Sequence, residues 1–152
     1  MVRMWAAAIA LAVVAAGAAA ARPASVERLF HEFDLFGMWA SDCAAPASLG
    51  NPHVSVNMPQ AGAVLEQHDF GPDYEENRYV IVAARRLHGR RLALDALFEQ
   101  SGAEPQRQLI IVHVEDGSRR TMFTGMSNDQ PRVLNGIATA TGTPTPELKK
   151  CE

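Results

Sequence analysis

The placement of two cysteines constrains this chain's fold more than any other feature of its sequence. Cys43 stands shortly after the start of the folded part and Cys151 is the penultimate residue. Joined, they tie the first strand to the last. An even cysteine count behind an export leader favours the joined form, with two free thiols as the alternative. Closing a loop of about a hundred residues contributes roughly 4–5 kcal/mol in the chain-entropy account.

Residues 1–21 read as a cleaved signal peptide. Arg3 supplies the positive start, 6–16 are an unbroken apolar run, 17–21 are small residues with several Ala-x-Ala options, and Arg22-Pro23 ends the segment. An uncleaved membrane anchor is the alternative, because the run approaches the minimum of roughly 17 apolar residues that span a bilayer. No cysteine ends the leader, which argues against a lipid anchor. Residues 22–152 then form one domain, periplasmic or secreted, with no stable membrane insertion after cleavage. Without Arg3, 13 basic side chains face 17 acidic ones, a formal charge of −4. Phosphate affinity needs clustered Lys and Arg, so a nucleic-acid partner is not expected. The expected state is a monomer.

One short helix opens the domain. Ser25 is the expected N-cap. Val26, Leu29, Phe30 and Phe33 follow at helical spacing and form one apolar stripe. So short a helix needs something to cover, and a sheet or barrel mouth is the natural choice. After it the helical period gives way to alternation. Strands are expected over 35–41, 53–58, 63–70, 78–87, 91–100, 106–115, 119–127, 133–134 and 137–141. Tight turns separate many of them, at His88-Gly89-Arg90, Asp116-Gly117 and Asn135-Gly136. Short turns make neighbouring antiparallel strands, and a long meander removes its edges by closing on itself. The expectation is an all-β fold, a small antiparallel meander barrel of about eight strands with one short N-terminal helix. An open curved sheet or a sandwich is the alternative.

Two stretches carry a resemblance. Phe36-Gly37-Met38-Trp39-Ala40-Ser41-Asp42-Cys43, then Pro46, Ser48 and Asn51-Pro52, resemble the start of a group of small exported bacterial proteins of unknown function. Asn135-Gly136, Gly142, Thr145-Pro146-Glu147-Leu148 and Cys151 resemble their far end. That resemblance implies no activity. More widely, Gly37-x-Trp39 after a short helix is similar to the opening of lipocalin-like and avidin-like barrels. It implies a strand bent at the glycine and a Trp packed across the barrel's closed end. Some exported protease inhibitors share the small barrel, the Gly-x-Trp start and one disulfide, though no inhibitory segment is matched.

The residues that could carry chemistry are few. Trp39, Phe98, Met122 and Phe123 are candidates to line an apolar ligand site, and Met122 is expected on one strand face with Thr124 and Met126. Arg85, Arg86, Arg90 and Arg91, with His88, crowd one hairpin and are candidates for contact with an anion or a partner. A solvated tip is the plainer account of them. His113 with Glu115, and Glu66 with His68, share strand faces as metal ligands would, but none of the five histidines forms a ligand-spaced pair with another and no metal site is assigned. No Gly-x-Ser-x-Gly, His-Glu-x-x-His or phosphate-loop motif is present, and Asp69 with Asp73, or Glu75 with Glu76, are unremarked loop carboxylates. No catalytic residue and no cofactor is expected. The leading expectation is a non-enzymatic, lipocalin-like barrel holding a small apolar or amphipathic ligand. The alternative is a protein-binding module, such as an inhibitor of an extracytoplasmic enzyme or an envelope accessory, with the loop 44–52 behind Cys43 as its candidate segment.

Overall fold

A computed structural model describes residues 25–126 and 129–152; the signal-peptide reading of 1–21 and the end of the expected 119–127 strand lie outside these. Helix α1 (Val26–Glu32) is capped by Ser25, whose Oγ accepts from the Arg28 N–H at 3.2 Å. It bears Leu29 and Phe30, both buried, and leads into ten strands. These are β1 (Gly37–Ala40), β2 (His53–Gln60), β3 (Ala63–Asp69), β4 (Asn77–Leu87), β5 (Arg91–Glu99), β6 (Gln106–Glu115), β7 (Ser118–Met126), β8 (Val133–Leu134), β9 (Ile137–Ala138) and β10 (Glu147–Cys151).

Each strand from β1 to β7 pairs antiparallel with the next, and β10 pairs with both β7 and β1, closing an eight-stranded ring. The expected barrel is therefore present. The short hairpin β8–β9 continues the sheet from β7 outside the ring, through Phe123↔Leu134 and Thr124↔Val133. Two elements differ from expectation. No strand is expected beyond 141, yet Glu147–Cys151 is the strand that closes the ring. The strand expected over 53–58 runs on through Pro59 to Gln60, past an irregularity in register between Asn57 and Gln60, where a missing N–H costs no ladder bond.

Alternation fixes what faces inward. Leu92, Leu94, Ala96 and Phe98 of β5 join Ile110, Val112 and Val114 of β6, Val54 and Val56 of β2, and Trp39 of β1 in one core. α1 plugs one end of the barrel with Leu29 and Phe30, helped by Leu35 behind it. Trp39 donates from Nε1 to the Leu35 carbonyl at 2.8 Å, which fastens the plug to the wall. The β4–β5 and β6–β7 hairpins share the helix end. The connections 41–52, 70–76 and 100–105 lie at the other, which we call the loop end.

The disulfide Cys43–Cys151 forms, with its Cα atoms 5.6 Å apart. Cys151 lies opposite Met38, whereas Cys43 follows the end of β1. The chain after β1 therefore doubles back along that strand to reach its partner.

Candidate functional site

The barrel interior is crossed by charge. Glu66 on β3 and Arg119 on β7 stand on opposite sides of an eight-membered ring, and their side chains meet in the middle. Arg119 Nη2 donates to Oε1 at 2.9 Å and Oε2 at 3.1 Å, with both residues almost wholly buried. His68 places Nε2 at 2.7 Å from Glu66 Oε1, and the guanidinium lies 5.8 Å from the Trp39 ring centre. Burial alone would raise the Glu66 pKa, but the Arg119 charge and the His68 contact overcome it and hold the carboxyl at about 2. Burial, then the Glu66 charge, push Tyr79 up to about 12. Tyr79 stacks on Phe98 at 5.1 Å and meets the His68 ring at a tilt, 5.0 Å away. The interior thus contains an ion pair, stacked rings and aliphatic side chains.

Asn51 gathers the first connection of the loop end, helped by His53, whose Nε2 lies 3.0 Å from the Ala45 carbonyl oxygen. Asn51 Nδ2 donates to the carbonyls of Asp42 at 2.9 Å, Pro46 at 3.3 Å and Ala45 at 3.4 Å, while its Oδ1 accepts from the Asp42 N–H at 2.9 Å. Ser48 and Asn51 exchange backbone bonds at 3.1 Å in both directions, so Leu49 and Gly50 occupy the tip of a two-residue turn. An amide that satisfies several carbonyls of one loop from within restricts that loop to one shape, and the disulfide pins its start. Leu49 is nevertheless 61% exposed.

The neighbouring loop 70–76 is pressed against it at Gly71. A Cβ there would lie 2.8 Å from the Ala47 carbonyl oxygen, and the residue's φ of +96° itself favours glycine. Asp69 Oδ1 accepts from the Gly71 N–H at 2.7 Å, and Glu75 Oε1 accepts from the Ser101 N–H at 3.2 Å, so the third loop is held too. A hollow of about 320 Å³ opens between Leu49, Phe70, Pro72 and Tyr74, the last 51% exposed. The connections 41–52, 70–76 and 100–105 together carry five carboxylates (Asp42, Asp73, Glu75, Glu76 and Glu104) and no Lys or Arg, while Glu99 beside them pairs with Arg78.

The residues singled out in the sequence fall in four places. Trp39 and Phe98 are in the packed core. Met122 lies at a register shift where β7 carries an extra residue against β6, so Thr121 opposes Val112 and Phe123 opposes Ile111. That bulge breaks the shared face expected for Met122, Thr124 and Met126: Met122 borders a polar outer hollow with His113 and Arg120, and Phe123 faces outward beside Gly125. The four residues do not converge on one site. Nor do the arginines. Arg86 pairs with Glu32 and covers the Phe33 ring at 5.3 Å, and Arg90 donates to the Val114 carbonyl at 3.0 Å. Arg85 and Arg91 sit opposite Ala93 and His113 on the outer wall. Arg86 and Arg90 do border a hollow of about 570 Å³ between α1 and the β4–β5 hairpin. His113 and Glu115 are 3.8 Å apart. Among the described residues no group of three or more His, Cys, Asp or Glu side chains is arranged to hold a metal ion. No helix among them is long and apolar enough to cross a membrane.

Fold and site together define a plugged, disulfide-stapled meander barrel with an acidic, internally hydrogen-bonded loop end. Compared with protein-family models, with curated proteins and with solved structures, the chain matches none. The Asn51 hub was not foreseen. Its signal is the Asn51-Pro52 pair closing a loop otherwise rich in Ala, Ser, Gly and Pro.

Proposed function

We propose that this protein is a non-enzymatic, exported protein-binding module that engages an extracytoplasmic partner with its loop end. The observation that carries the reading is Leu49, an aliphatic side chain held out to solvent on a loop whose carbonyls Asn51 satisfies from inside. The asparagine, the turn and the disulfide fix this backbone, yet the leucine it presents is left in water, where its side chain contributes nothing to the isolated fold. Such preorganisation favours binding, because the ordering cost is met before the partner arrives. Tyr74 and the hollow beside Leu49 extend the contact, and the surrounding carboxylates favour a partner with a basic rim. The turn at Leu49-Gly50 is too tight to thread a peptidase cleft as an extended substrate would. An inhibitory role would therefore act by obstruction.

The small-ligand reading receives less support: the barrel interior is occupied by the Glu66–Arg119 pair and the Tyr79–Phe98 stack, and the hollow between α1 and the β4–β5 hairpin is bordered mainly by polar and charged side chains. The test is capture from the host's envelope with tagged wild-type protein and a Leu49→Asp variant. A stoichiometric partner retained by the first and lost by the second supports the proposal. No stoichiometric partner, or one indifferent to the substitution, overturns it.

A further inference from the structure

The outer wall of the barrel carries a second surface. Because Leu92, Leu94, Ile110 and Val112 face the core, Ala93, Leu109 and Ile111 face outward. Register then aligns Ala93, Ile111, Phe123, Leu134 and Ile137 as direct neighbours across five strands, an apolar row about 20 Å long at the usual strand spacing. Leu109, Leu134 and Ile137 remain 37%, 47% and 38% exposed. Ala93, at the start of the row, is itself buried, and Ile111 and Phe123 are half-buried, so the exposed apolar surface is concentrated at Leu109 beside the row and at Leu134 and Ile137 at its far end.

Its relief is specific. Leu109 and Asp95 form a wall between two hollows, one of about 310 Å³ floored by Ala93 and one of about 380 Å³ bounded by Phe123 and Met126. The second exists because position 125 is glycine: a Cβ there would lie 2.9 Å from the Phe123 ring, which rests across the strand instead.

We infer that this face is the interface of a twofold dimer, in which Leu109 of each copy seats in the hollow beside Phe123 of the other. The argument is self-complementarity. A knob stands beside a hollow of matching apolar character on one face, which is what an isologous contact requires. The charges agree. Asp95 and Arg107 bond each other within one chain, with 2.7 Å from Nε to Oδ1, so a twofold axis places an acid and a base of each copy beside a base and an acid of the other. The patch is small beside standard interfaces, which puts the association at the weak, reversible end.

Sedimentation velocity on protein recovered from its host with the disulfide intact, from the low-micromolar to the submillimolar range, tests this. The expected result is a concentration-dependent shift from one chain to two. Leu109→Asp should weaken it by about tenfold or more, with near-ultraviolet circular dichroism unchanged. Gly125→Ala, which displaces Phe123 without adding charge, should weaken it as well and decides the matter if the aspartate variant does not fold. Leu49→Asp should dimerise like wild type, which separates this face from the loop end. A single-chain mass at every concentration, or a dimer indifferent to both wall substitutions, overturns the inference.

Discussion

Glu66 shows how one residue can set both the shape and the acid limit of a barrel. Its carboxyl is held at about 2 against an ordinary 4.5. A depressed carboxyl stabilises the fold fully above the unfolded value, and that contribution is lost as pH falls from about 4.5 towards 2. The difference amounts to roughly 3 kcal/mol. Urea unfolding at stepped pH should show midpoints falling across that window, and Glu66→Gln should flatten the fall. At neutral pH the same variant should cost about 3–5 kcal/mol, because it leaves Arg119 charged and unpaired inside the wall. This much was half legible: alternation placed Glu66 and His68 on one face. The sequence could not supply Arg119, which is 53 residues away in the chain and is brought opposite only by ring closure.

Among the elements, local periodicity was sufficient wherever a strand was long and its turn marked. The β4–β5 and β6–β7 hairpins, the helix and its Ser25 cap all follow from alternation, spacing and glycine-containing turns. It failed where tertiary pairing overrides local preference. Glu147–Cys151 carries two lysines and little apolar patterning, and becomes a strand because β1 and β7 each leave an edge to be filled. The bulge at Met122 was equally hidden, since an inserted residue leaves no compositional mark while flipping every side chain beyond it. The loop end is the element most open to test. Asn51→Ala removes the amide that gathers three carbonyls. Amide hydrogen exchange over 42–51 should speed up by about tenfold or more, while global stability falls by only about 1–2 kcal/mol. Unchanged protection there would mean that the disulfide and the Ser48–Asn51 turn suffice, removing the ground for calling the loop preorganised.

At the scale of the whole molecule the staple and the ring are one device. Cys43 and Cys151 are separated by 108 positions, and their bond tethers the strand that opens the wall to the strand that closes it. Replacing both with serine should lower unfolding free energy by roughly 4–5 kcal/mol if the unfolded chain is unstructured. Denaturant titration of oxidised, reduced and double-serine protein checks this, with the last two expected to coincide. Closure at 147–151 also has a consequence in time. A chain that emerges from its first residue onward holds a rolled but unsealed ribbon, with bare edges at β1 and β7, until its final stave arrives. Throughout that interval two lines of unpaired amides wait side by side, open to any passing extended segment, so the period of greatest exposure to misassembly falls just before completion.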